Sequence, residues 1–183
     1  MLVNIQELMD IQRNVNLKVM EKLDDPITGE QFILAFNVEL FEYFNAIGTW
    51  KWWKHSHVIN REKVLDELAD CFAFFLSAID VESELAKIAG NDDFIEQVEA
   101  EINSYMESLE SYEDAMENVN KTTNDLITYI GTDNEVQGTV TVERFAIAIF
   151  IATILFEGIT WDEITAAYKL KSAENIARQE RDY

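Results

Sequence analysis

The sequence predicts an all-α fold, and three observations predict it. Gly is scarce at 6 and Pro at 1 in 183 residues, too few for the many turns of a β-sandwich or an α/β protein. Apolar residues recur at three- and four-residue steps almost throughout, the period of an amphipathic helix. Helix-start signals with capping-box spacing, such as Thr28 with Gln31 and Thr160 with Glu163, stand ahead of these segments. With 48% of its residues hydrophobic, the chain can bury one substantial core, so a single domain over 1–183 is expected.

The first helix is carried by Leu2, Ile5, Leu8, Met9, Ile11, Val15, Val19 and Leu23 and is broken at Asp25-Pro26-Ile27-Thr28-Gly29. A second runs from about Glu30 to Ile47, with Gly48 as its C-cap. The segment Thr49-Trp50-Lys51-Trp52-Trp53-Lys54-His55-Ser56-His57 loses the period and reads as a loop. Asn60 caps a third helix, from about Arg61 to Ala89 and ended by Gly90. Asp93 with Glu96 suggests a capping box for a fourth helix, on the stripe Phe94, Ile95, Val98, Ile102, Met106 and Leu109, reaching about Asn118. A shorter helix follows near Thr122 to Ile130, then a loop over Gly131 to Thr139. Val140 to Phe156 is apolar and β-branched enough for a strand. Helical spacing of Phe145, Ala148, Ile149 and Ala152 makes it a buried helix, ended by Gly158. The last helix starts at Thr160 and reaches about Gln179.

Charge narrows the function classes. The formal net charge is −21, which argues against binding nucleic acid through a basic surface. It leaves room for a nucleotide whose phosphates are bridged to carboxylates by divalent ions. Residues 82–118 form an acidic segment with one base, Lys87, before Glu117, read as a solvated helix face. The first residues lack the basic and apolar regions of a signal peptide. Phe145 to Phe156 is too short to span a bilayer. The single Cys71 sits among Ala69, Phe72 and Phe74. It reads as a core residue in a reducing compartment, so the expectation is a cytoplasmic protein without membrane contact.

Two carboxylate pairs carry the candidate chemistry. Glu39 and Glu42 lie three residues apart in the second helix, and Glu67 and Asp70 repeat that spacing in the third. An i,i+3 pair leaves one helix face. The neighbours are apolar, namely Phe36, Leu40, Phe44, Leu65, Leu68, Phe72 and Phe75. Packed antiparallel, the two helices would bring four acids together, and a hard divalent cation, Mg²⁺ or Mn²⁺, would relieve their repulsion. The competing reading is ordinary surface acids in a chain that has 35 of them. Near the C-terminus, Lys171, Asn175 and Arg178 follow i, i+4, i+7 and share one face. They suit a phosphate clamp, or simply complement the helix macrodipole.

Taken in order, these pieces resemble a known family, the dimeric all-α dUTP pyrophosphatases, related to MazG-like pyrophosphatases and to a phage enzyme acting on dCTP and dUTP. The resemblance rests on Glu39-Leu40-Phe41-Glu42-Tyr43-Phe44-Asn45 with Trp50-Lys51-Trp52-Trp53-Lys54, then Leu65-Asp66-Glu67-Leu68-Ala69-Asp70, then Tyr168 with Lys171, Asn175, Arg178 and Gln179. It implies a MazG-like helical bundle and a homodimer. It also implies a metal site of Glu39, Glu42, Glu67 and Asp70 between two central helices. Lys171, Asn175 and Arg178 would hold phosphates, Trp53 and Lys54 would lie near base and phosphates, and Gln12 and Asn16 would read the base. Ser172, where many members have Asn, departs from the pattern, as does Asp182, where many have Gly.

The expected reaction is Mg²⁺-dependent hydrolysis of dUTP to dUMP and pyrophosphate, with Glu39 or Glu42 positioning the water. A dCTP or dual dCTP/dUTP pyrophosphatase is the nearest alternative. A non-catalytic acidic mimic of DNA is the alternative from another class, motivated by the net charge.

Overall fold

The computed structural model describes residues 2–48, 50–55, 58–129, 135–155 and 159–181, with the backbone alone for 122–129 and 135–140. Seven helices and no strand occur among them: α1 (Gln6–Met20), α2 (Gly29–Ile47), α3 (Arg61–Ile88), α4 (Phe94–Ser108), α5 (Tyr112–Tyr129), α6 (Glu135–Leu155) and α7 (Trp161–Glu180).

The expected caps form at three starts. Thr28 and Gln31, and Thr160 and Glu163, make reciprocal capping boxes, and the Asn60 side chain accepts from the Lys63 N–H. Each satisfies backbone donors that a helix start leaves without an intrahelical partner. Gly48 ends α2 at φ 66°, and Gly90 follows α3 at φ 86°. Only glycine adopts this left-handed backbone without steric cost.

Four expectations are corrected. α1 starts at Gln6 rather than Leu2, because tertiary contacts hold the preceding backbone. Asn103 of α4 accepts from the Val3 N–H at 2.8 Å and donates to the Val3 carbonyl at 3.2 Å. Glu99 accepts from the N–H groups of Ile5 and Gln6. Asp93 makes no capping bond. The helix expected to reach Asn118 stops at Ser108, and α5 runs unbroken through the expected gap near residue 120. The break lies at 109–111, where Leu109 is extended and buried and the Ser111 Oγ accepts from the Asp114 N–H at 3.1 Å. Glu135 to Thr139, expected in a loop, already belongs to α6. Residues 130–134 and Gly158 lie outside the described residues.

α3 is the centre of the bundle and touches α1, α2, α4, α6 and α7. Its pairing with α2 runs antiparallel. Gly29 faces Val81 and the Phe36 ring meets Phe75 at 6.3 Å. Glu39 reaches Asp70, so numbers rise on one helix as they fall on the other. α6 lies across α3 with Phe145, Ala146, Ile147, Ala148 and Ile149 fully buried. The Phe145 ring stacks on Phe75 at 4.2 Å and on Phe72 at 5.2 Å, and Trp161 and Tyr168 meet Phe72 edge-on. Cys71 is buried in this core. Among the described residues no helix is long and apolar enough to cross a membrane.

Candidate active site

The antiparallel α2/α3 pair brings three of the four expected acids together. One carboxylate oxygen each of Glu39, Glu67 and Asp70 lies within 4.8 Å of the others. Glu67 is buried, and Glu39 and Asp70 are half-buried. Glu42 is exposed and stands outside this triad, yet close enough to act on Glu39. Spacing puts Glu42 on the same face as Glu39.

The electrostatics follow from that packing. Burial pushes the Glu39 carboxyl up from 4.5 to about 7, and repulsion from Asp70, Glu42 and Glu67 adds to it, against the opposing pull of Lys171. Burial also raises Asp70, which Lys171 partly offsets. The Lys171 ammonium lies 2.8 Å from both Asp70 and Asp66, and Lys63 lies 3.4 Å from Glu67. Three converged carboxylates in a largely apolar setting are a donor set suited to a hard divalent cation. The three acids fit such an ion.

Two of the triad, Glu39 and Asp70, open onto a cavity of about 390 Å³ between α1, α2, α3 and α7. Glu39 and Asp70 line one part of it, Lys171, Asn175 and Arg178 another, and Gln12, Asn16 and Ser77 its polar floor. Val15, Phe32 and Phe74 supply an apolar wall. Seven expected site residues from four helices therefore share one space. A more open groove of about 530 Å³ adjoins through Glu67 and Lys171 and is lined mainly by Asn60, Glu62, Lys63, Asp66, Leu170 and Glu174. The larger groove lacks Glu39, Asp70, Arg178 and the amide cluster, so the smaller cavity is the better candidate.

Trp53 and Lys54 are not among the residues lining this cavity. Trp53 is 51% exposed and packs edge-on against Trp50 and Trp52, which are also exposed, so none of the three is a core anchor in the single chain.

Sequence reasoning missed the residues beneath the amides. Ser77 and Tyr168 are both buried and bond to Gln12, each at 3.0 Å. A signal for Ser77 existed, since it lies two turns after Asp70 on the same face of α3. Ser172, the departure from the family pattern, is buried beside Tyr168 and does not line the cavity. The substitution therefore falls beneath the polar floor.

No curated protein matches the chain at a significant level. A family model described as dUTPase matches residues 4–183, and with it the carboxylate triad, the cationic face of α7 and the amide floor. The chain belongs to the dUTPase family, whose members are nucleotide pyrophosphatases.

Proposed function

We propose that the protein hydrolyses dUTP to dUMP and pyrophosphate with Mg²⁺, Mn²⁺ being the alternative ion. One observation carries the reading. Acids, cations and amides from four helices meet in a single cavity, and those are the three recognition chemistries that a metal–nucleoside triphosphate needs. Glu39, Glu67 and Asp70 would hold the metal, with Glu42 joining from the exposed edge. Bound there, the ion supplies neutralisation of phosphate charge and polarisation of the phosphorus.

The protein groups have separate roles. Glu39 accepts a proton from the attacking water, a task suited to a carboxylate raised toward neutrality. The water oxygen bonds to the α-phosphorus as the bond to the β-phosphate bridging oxygen breaks. Lys171 and Arg178 stabilise the charge that gathers on the departing pyrophosphate, and Asn175 donates to its oxygens. Gln12 and Asn16 read the base edge. Trp53 and Lys54, exposed on the loop after α2, would lie near the base and phosphates.

The chain is proposed to act as one domain and as a cytoplasmic homodimer. Supporting the dimer, Leu34, Val38 and Phe41 are exposed at i, i+4, i+7 along α2. A dCTP or dual activity remains the second reading, because an amide can serve either pyrimidine. Family membership weighs against the acidic DNA mimic.

The deciding test is pyrophosphate release from dUTP, dCTP, dTTP and dATP with Mg²⁺, for wild type and Glu67→Gln. Release from dUTP should fall more than about 100-fold in the variant, beyond what loss of an outer-sphere partner costs. Release from no nucleotide by folded protein would sink the reading.

A further inference from the structure

We propose that Asp66 is a positioning residue for Lys171, keeping its ammonium at the wall of the cavity when Asp70 is given over to a divalent cation. This rests on the site being that of a metal-dependent pyrophosphatase, as proposed above, and it assigns a task to a carboxylate outside the triad.

Helix geometry sets up the arrangement. Asp66 and Asp70 stand four residues apart on α3, so their side chains lie one above the other on one face. A single ammonium reaching across from α7 spans both. Lys171 Nζ lies 2.8 Å from Asp66 Oδ1 and 2.8 Å from Asp70 Oδ2. The Lys171 side chain is 16% exposed, whereas that of Asp66 is 56% exposed. An ammonium has three donors and no acceptor. Two serve these carboxylates, which leaves one for a ligand.

The two carboxylates face different spaces. Asp70 belongs to the triad and lines the cavity, whereas Asp66 belongs to neither and lines the adjoining groove. Lys171 lines both spaces. In the metal-free protein its ammonium is therefore a positive charge resting on Asp70. A divalent cation taken by Asp70 competes for the same carboxylate and repels the ammonium. Asp66 takes no part in that exchange. Released from Asp70 with no second partner, the flexible four-carbon stem of Lys171 would sample the open groove. Still held by Asp66, it stays beside the cavity with donors freed for phosphate. Charge held ready in that way is what stabilises a departing pyrophosphate. Lys63 does not stand in for Lys171, since it pairs with Glu67 and lines the groove but not the cavity.

The experiment reads Mg²⁺ binding by the nucleotide-free protein, by calorimetry, together with pyrophosphate release from dUTP. The variants are Asp66→Asn, Asp66→Glu, Lys171→Met and the double variant Asp66→Asn/Lys171→Met. Asp66→Asn leaves Lys171 with Asp70 alone. Mg²⁺ should then bind about fivefold more weakly, and kcat should fall about tenfold with KM changing less. Asp66→Glu should recover most of both. Direct attraction between each side-chain charge and the cation adds across variants, so contact through Lys171 is what makes the double variant depart from the sum. The Mg²⁺ loss caused by Asp66→Asn should accordingly vanish, or nearly so, in the Lys171→Met background. Glu62→Gln removes a charge from the same groove without contacting Lys171, and its effect should be equal in either background. An Asp66→Asn loss of the same size in both backgrounds, or an Asp66→Asn protein that matches wild type in both readouts, would overturn the inference and leave the pyrophosphatase reading in place. A folded wild type that binds no Mg²⁺ and releases pyrophosphate from no nucleotide would remove that reading, and this inference with it. Should Lys171→Met fail to fold, Lys171→Gln completes the same cycle.

Discussion

Glu39 concentrates the conflict at the residue scale. Its carboxyl is raised to about 7 by burial first and by neighbouring acids second. A raised folded-state value means that the native protein binds more protons than the unfolded chain between about 4.5 and 7. In the metal-free protein, the stability from this group is present below the unfolded value and is lost as pH rises through the folded one. A cation needs the ionised form. The rise in melting temperature on adding Mg²⁺ should therefore be larger at pH 8 than at pH 5.5, and equal shifts would show that the triad does not hold the ion. Much of this site was legible, because i,i+3 arithmetic on two helices suffices to converge Glu39, Glu67 and Asp70. Glu42 obeys the same arithmetic but is exposed, since spacing fixes the face of a helix and not how deeply each side chain on that face is covered. The bonds that Ser77 and Tyr168 make to Gln12 were not legible either, although the face of Ser77 was. Ser77 lies 65 positions away and Tyr168 lies 156, and only the assembled bundle brings them together.

The helices follow their start signals closely. Thr160→Ala should cost about 1 kcal/mol, read as a lower urea midpoint with unchanged slope. The same loss is expected of Ser111→Ala, because the Ser111 Oγ starts α5. Sequence reading placed the α4/α5 break ten residues late because the period of apolar residues carries on across it, whereas the Ser111-x-x-Asp114 pair marks it. α1 fell short of its apolar stripe for another reason. The backbone of Val3 is engaged by Asn103 from both sides, and tertiary bonds of that kind override local propensity. Asn103→Ala should cost about 1–3 kcal/mol and raise hydrogen exchange at Val3, since it leaves a half-buried N–H and carbonyl unpaired. The acidic segment thus has a folded task, which is to hold the chain's first residues against the bundle.

At the scale of the whole molecule, the stack of Phe72, Phe75 and Phe145 ties the active-site helix to α6. Phe145→Ala should cost about 3–5 kcal/mol, measured by chemical denaturation, because no neighbour can fill the space between two stacked rings. Sedimentation equilibrium should give twice the monomer mass, and Phe41→Glu on the exposed α2 stripe should shift that mass toward the monomer. Cys71 gives this architecture a built-in clock. It is the chain's one cysteine, it follows Asp70 directly, and burial pushes its thiol well above the usual range. A disulfide reagent can label it only in molecules whose packing around α3 has opened, so the labelling rate counts those openings one molecule at a time. With a cation across the α2/α3 acids that count should fall, and a test tube of unmodified protein then reports how tightly its own central helices are held together.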